Sequence, residues 1–333
     1  MATVLRYLGL VLCTLAFIVQ LLDASSTGSC SGRCNVSLDK SQGCQCNSAC
    51  QRYGDCCSDY NSLCLGDPTG SRGSCKTIGQ VSEELWTKDV NRLEGSDLTF
   101  NIQTKVPDKT RDDHARNPLF SHVNEAKLTG ETFKTFLALR DNYNPNKYTA
   151  EDVTAQEKRE EEAFLDAIMK TSVMKTLQDY LICTGDVSSQ ADLRSRLIKM
   201  WFDVYPRSGT RTEKDTSGFE HIMIGEFKTS SSVNGFHNWL SFYENEKAHN
   251  LNYYGYVYES SPGVIGAAFN WNNRIKTLGS FFIGVSPEFD IAMYSLCFIK
   301  YPGKSCHFSL KGTSLSIQSY TKDGHIATAY VSV

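Results

Sequence analysis

Two of the seven histidines stand where an imidazole can do proton chemistry. His221 lies in Ser217-Gly-Phe-Glu-His-Ile-Met-Ile-Gly-Glu226, between two carboxylates, Glu220 and Glu226. His237 lies in Asn234-Gly-Phe-His-Asn-Trp-Leu240. There Phe236, Leu240 and Tyr243 mark the buried stripe of a helix, and His237 falls off that stripe near the helix start. A helix N-terminus disfavours positive charge, so His237 is expected to be neutral and beside solvent, as a general base needs. The ordinary fate of either histidine is structural, and their spacing alone is no motif. Glu220 and Glu226 offer oxygens that suit a hard cation, though two ligands do not make a site; the plainer expectation is that they orient His221 or support its strand. The large C-terminal part holds no H-E-x-x-H, nucleophile elbow, P-loop or G-x-G-x-x-G, which leaves zinc proteases, serine hydrolases and nucleotide-binding enzymes without support.

These side chains must be carried by regular elements. Phe219–Phe227, which holds His221, is expected to be a strand, the first of several β-rich runs. The others are Leu251–Tyr258, Val264–Trp271, Ser280–Val285 and Leu315–Tyr320. Lys322-Asp323-Gly324 is a hairpin signal near the C-terminus, and beyond it Thr328 and Tyr330 alternate, so a hydroxyl and a ring project from one strand face. Upstream the pattern is helical. Thr154 with Glu157 makes a capping box before Phe164, Leu165, Ile168 and Met169, and Ser189 with Asp192 repeats it before Leu193, Leu197 and Trp201. Glu160-Glu161-Glu162 is expected on the solvated face of the first of these helices. Ser286-Pro287-Glu288 can start a helix through Tyr294, but pattern does not decide it. The class expected is α+β, with a helical first half and a β-rich second half.

Composition sets the compartment. The 333 residues carry 34 basic and 37 acidic side chains, a balance that argues against nonspecific coating of nucleic acid but not against brief contact with a few phosphates. Eight of 13 cysteines fall in one short block: Cys30, Cys34, Cys44, Cys46, Cys50, Cys56, Cys57 and Cys64. So short a segment cannot bury enough apolar area to offset its chain entropy, and disulfides, each contributing about 2–4 kcal/mol, must hold it. Zinc is the rival, disfavoured because Cys44-Gln45-Cys46 and Cys56-Cys57 lack the usual two-residue gap between thiolates. Eight cysteines allow 105 pairings, and spacing does not choose among them. Residues 1–26 have the character of a cleaved secretory signal: Arg6, an apolar run from Tyr7 to Leu22, then Ala24-Ser25-Ser26. Cys13 leaves with it, and the twelve cysteines that remain suit an oxidising compartment, as does the sequon at Asn35. The organisation expected is a signal over 1–26, a disulfide domain over 27–66, a linker over 67–79 and a large domain over 80–333. Cys75 has no obvious partner, and Cys183, Cys297 and Cys306 can be paired or free.

Two resemblances follow from quoted strings. CSGRCNVSLDKSQGCQCNSACQRYGDCCSDYNSLC, with its CQC and D-C-C-x-D-Y, resembles a somatomedin-B domain, which implies a four-disulfide knot that binds a protein partner and has no catalytic role. SGFEHIMIGEFK, GFHNWLSFYENEK, FNWNNRIKTLGSFFIGVSPEFD and HIATAYVSV, in that order, resemble the EndoU family of poly(U)-specific endoribonucleases. The resemblance implies a catalytic His221, His237 and Lys276, the last carried by the K-x-x-G-S block, with His237 as base and His221 as acid. It implies that Thr328 and Tyr330 read uracil, with Ser280 as a further base contact. It implies that Glu220 and Glu226 matter for activity, and a divalent cation, manganese or calcium, more suited to RNA binding than to the proton transfers. The protein so described is a secreted monomer without a membrane span that cuts single-stranded, uridine-containing RNA and leaves 2′,3′-cyclic phosphate ends. The alternative is an inactive secreted molecule that uses both domains to bind proteins.

Overall fold

The computed structural model describes the chain apart from residues 1–27, 31–32, 35, 54, 58, 61–63, 65–74, 147–148, 152 and 208–211. The expected secretory signal over 1–26 and the sequon at Asn35 therefore lie outside the described residues, as does most of the expected linker. The chain divides into two compact units, Met1–Ser74 and Cys75–Val333. No described helix is long and apolar enough to cross a membrane.

The first unit is held by cross-links. Cys30 pairs with Cys46, Cys34 with Cys64, Cys44 with Cys57 and Cys50 with Cys56. Its buried apolar centre is Tyr60 among the cysteines themselves, too little to hold a chain without the bridges. Gln45 adds a polar brace: its amide donates to the Asp39 carbonyl at 2.7 Å and accepts from the Asp39 N–H at 2.9 Å.

The second unit begins with α1 (Ile78–Lys88), α2 (Glu131–Ala138), α3 (Ala155–Met169), α4 (Ser172–Cys183) and α5 (Gln190–Leu197). The expected capping box starts α3: Thr154 accepts from Glu157 N, and Glu157 reaches back to Thr154 N. Ser189 caps α5 by accepting from Asp192 N. Of the glutamate run, Glu161 is buried instead of solvated and is matched by Lys158 at 2.7 Å. A short ribbon pairs β1 (Leu98–Phe100) with β2 (Phe120–Val123).

The strands follow. β3 (Glu226–Thr229), β4 (Ser232–Asn234), β5 (Leu251–Ser260), β6 (Val264–Trp271) and β7 (Arg274–Phe282) form one sheet in the order β3-β4-β7-β6-β5, with β4 and β7 parallel. β8 (Ser305–Leu310), β9 (Thr313–Lys322) and β10 (His325–Ser332) form an antiparallel meander. The turn between β9 and β10 is the expected hairpin, with Asp323 and Gly324 both at positive φ. Helix α6 (Trp239–Lys247) lies between β4 and β5. The undecided Ser286-Pro287-Glu288 does start a helix, α7 (Pro287–Lys300), with Ser286 as cap and Pro287 in its first turn. It is buried from Pro287 to Phe298, an all-round burial that leaves no amphipathic stripe to read. The described cysteines outside the block are paired: Cys75 with Cys183 on α4, and Cys297 on α7 with Cys306 on β8.

Candidate active site

His221 is not on a strand. It occupies a five-residue π-helical turn, Glu220–Ile224, and β3 begins only at Glu226. Ser217 starts the turn by accepting from Glu220 N at 3.1 Å, and Gly225, at φ 97°, ends it. The apolar run Phe219, Ile222, Met223, Ile224 fits a buried turn as well as a buried strand, which is why periodicity misled. Phe219 anchors the turn to the helical half, 5.3 Å from the Phe202 ring and 5.4 Å from Phe136.

His237 sits just before α6, whose cap is Asn238: its side chain accepts from Ser241 N at 2.9 Å and donates to Asp290 at 2.9 Å. The backbone ties the two histidines together. Phe236 N donates to the His221 carbonyl at 2.9 Å, and His237 N to the Ile222 carbonyl at 2.6 Å. This approach needs Gly235, where an added Cβ would meet the His221 carbonyl oxygen at 1.8 Å at a positive φ. Phe236 then packs on Trp271 at 4.9 Å and Phe269 at 5.2 Å, fixing the crossing against the large sheet.

Hydrogen bonding sets both tautomers. His221 Nδ1 lies 2.8 Å from Glu226 Oε2, an acceptor, so Nδ1 carries the proton. His237 Nδ1 lies 3.0 Å from the Ser280 carbonyl, and the same reasoning leaves Nε2 as the basic nitrogen. Both rings are buried, at 2% and 5% exposure, so His237 is not beside solvent as expected. Burial, then Lys276 and His221, hold His237 far below the usual range; its neutrality comes from these causes. Burial, with Arg207 and Lys276, lowers His221 to about 4 against the pull of Glu226. Lys276, on β7, is half-buried, and burial followed by Lys228 brings it down to about 8. Burial opposes ionisation of Glu226, but His221, Arg207 and Thr216 together bring it to about 2.

Six of the predicted residues line one cavity of about 320 Å³: His221, His237, Lys276, Ser280, Thr328 and Tyr330. Tyr330 stacks beside His237, centroids 5.4 Å apart at 26°. Glu220 and Glu226 do not line it. Glu226 is committed to His221, to Thr216 and to Arg207 Nε at 3.3 Å, while Glu220 is buried with its pKa raised well above the usual range, first by burial and then by Glu226. Among the described residues the one set of three candidate ligand atoms close enough to share an ion is that of Cys30, Cys46 and Cys57, whose sulfurs are in disulfides. The two glutamates therefore do not fit a resident cation in this arrangement. Sequence reasoning missed Arg207, whose Nη2 lies 3.1 Å from His221 Nε2. It stands 14 residues before His221, in no motif, and only the fold turns its guanidinium onto the ring. Asn234, Gly235, Tyr258 and Leu278 complete the lining and were likewise unmarked.

A paired-imidazole pocket between a π-turn, a capped helix and two sheets is the kind of site that suits acid–base cleavage of a phosphodiester. The family model described as Endoribonuclease XendoU matches residues 77–331, and that described as Somatomedin B domain matches residues 28–67. The chain belongs to the XendoU endoribonuclease family and carries a somatomedin-B domain ahead of it. It is 42% identical over 321 residues to the uridylate-specific endoribonuclease of Bos taurus, covering 91% of this chain and 77% of that one. It is 40% identical over 325 residues to the human protein of the same name, covering 92% and 78%. The solved structure titled "The structure of XendoU: a splicing independent snoRNA processing endoribonuclease" matches with a TM-score of 0.66 at 37% identity, covering 76% of this chain and 95% of that one.

Proposed function

We propose that this protein is a secreted endoribonuclease that cuts single-stranded RNA at uridylates and leaves a 2′,3′-cyclic phosphate and a 5′-hydroxyl. The observation that carries the proposal is the convergence of His221, His237 and Lys276 on one cavity of nucleotide size. His237 Nε2 takes the proton of the ribose 2′-hydroxyl. The 2′-oxygen attacks phosphorus, the bond from phosphorus to the 5′-oxygen breaks, and a proton on His221 Nε2 passes to that oxygen. His237 ends protonated and His221 neutral, and exchange with water resets both. Lys276 stabilises the charge that grows on the phosphoryl oxygens, a contact worth roughly 3 kcal/mol.

Glu226 suits His221 to the acid role, because a carboxylate behind an imidazole favours its charged form. Ser280 suits His237 to the base role, because a carbonyl orients the ring without adding a charge. Thr328 and Tyr330 offer a hydroxyl and a ring to uracil, with Ser280 nearby as a further contact. Manganese or calcium has no part in these transfers; a cation requirement would act on RNA binding. The somatomedin-B domain binds a separate protein partner, and the enzyme acts as a monomer.

The test is mass analysis of the ends left on a short uridine-containing RNA, with and without chelator. Cyclic-phosphate ends after uridine are expected, with resistance when 2′-deoxyuridine replaces the target. Linear 3′-phosphate as the first product, or cutting at deoxyuridine, would remove the mechanism.

A further inference from the structure

The mechanism leaves Arg207 unexplained. Its Nη2 lies 3.1 Å from His221 Nε2 and its Nε 3.3 Å from Glu226 Oε2, while Nη1 donates to the Ala327 carbonyl at 2.9 Å and lies 3.4 Å from the Tyr205 hydroxyl. Ala327 stands at the bulge in β10, where the register with β9 shifts between Ile326 and Thr328. The Arg207 backbone is fixed by its N–H donating to Asp215 at 2.7 Å. A guanidinium has donors only, so His221 Nε2 must accept. That is the nitrogen that has to carry a proton for the leaving oxygen. In this arrangement His221 is oriented and yet unable to deliver one.

Arg207 also lines the cavity with Lys276, so an entering phosphodiester meets its guanidinium. Phosphate oxygens are better acceptors for a guanidinium than a neutral imidazole is, and they accept from two of its N–H groups at once. We propose that Arg207 is a positioning residue that covers His221 Nε2 until an RNA phosphate draws the guanidinium away and opens that nitrogen to a proton from water. Glu226 remains on Nδ1 throughout, so the ring keeps its orientation as its partner changes. The proposal rests on the reading of His221 as the proton donor.

Two measurements on the full chain test it. With histidine labelled in 15N, the free protein should show His221 Nε2 as an unprotonated acceptor, and inorganic phosphate should move that resonance toward a protonated nitrogen. Carbethoxylation of His221 by diethyl pyrocarbonate, followed by peptide mass, should run about tenfold faster in Arg207→Met than in the wild type, the value of one lost hydrogen bond. Arg207→Lys should fall between, and the rate at His237 should stay unchanged as the check on fold. Equal reactivity of His221 in wild type and Arg207→Met overturns the proposal. So does a wild-type Nε2 resonance that phosphate leaves in place, and this titration decides the matter where the methionine variant fails to fold. Absence of RNA cleavage by the wild type would remove the functional reading instead, a result these two measurements do not depend on.

Discussion

The segment that carries His221 and the segment that carries His237 present the same ring to the same cavity, but what stands behind each ring differs. His221 has a buried carboxylate on Nδ1 and an arginine on Nε2. His237 has a peptide carbonyl on Nδ1 and a tyrosine ring beside it. The carboxylate stabilises an imidazolium, whereas the carbonyl only sets a tautomer. Under the proposed mechanism that difference separates an acid from a base, and the asymmetry is open to attack by substitution.

The largest effect should come from the rings themselves. His237→Ala and His221→Ala should each lose about 10²–10⁴-fold on a uridine-containing oligonucleotide. A uridine 3′-(p-nitrophenyl phosphate) separates them, because its leaving group needs no proton. On that substrate His221→Ala should recover most of the loss, and His237→Ala should recover none. The reverse pattern would exchange the two roles. Glu226→Gln should follow His221, with a loss of about 100-fold on RNA that largely disappears on the activated ester, since its effect passes through the acid. A loss undiminished on the ester would mean that Glu226 holds the whole turn, not one ring.

Substrate reading tests the other side of the pocket. Tyr330→Ala should weaken uridine binding by about 1–3 kcal/mol, the worth of stacking on an aromatic ring. Thr328→Val should relax the preference for uridine over cytidine while leaving turnover of the best substrate nearly intact. An unchanged base preference in both variants would move uracil recognition elsewhere in the cavity.

How much of this site was legible in the chain depends on how local its causes are. The capping box at Thr154, the cap at Ser189 and the turn at Asp323-Gly324 are decided within a few residues, and each formed where pattern placed it, though Asp192 reaches back to Ser188 N and so leaves the second box half-made. The turn that holds His221 is decided by the distant Phe202 and Phe136 rings and by the crossing at Gly235, so local periodicity described it as a strand. His237 was expected to be neutral because of a helix terminus, but burial, then Lys276 and His221, produce that state. Arg207 was invisible because an arginine in a loop carries no pattern. The family strings pointed to His221, His237 and Lys276; only packing exposes the different partners that stand behind the two rings.

The smallest effect discriminates most finely. In the free protein burial, with Arg207 and Lys276, lowers His221 to about 4, and burial, with Lys276 and His221, holds His237 well below its usual range. An RNA phosphate brings negative charge between these groups and raises both imidazoles, because an opposite charge favours the protonated form. His237 must be neutral to act, so raising it moves the acid limb of the profile to higher pH. His221 must be protonated to act, so raising it moves the alkaline limb to higher pH as well. The two limbs therefore travel in one direction. Since kcat/KM reports the free enzyme and kcat the complex, the kcat profile should lie about one pH unit alkaline of the kcat/KM profile. In Lys276→Met the gap should narrow, because one of the charges that the phosphate offsets is gone. Coincident profiles in the wild type would show that the phosphate does not sit between the two rings, and the contrast between their partners would then have nothing to act on.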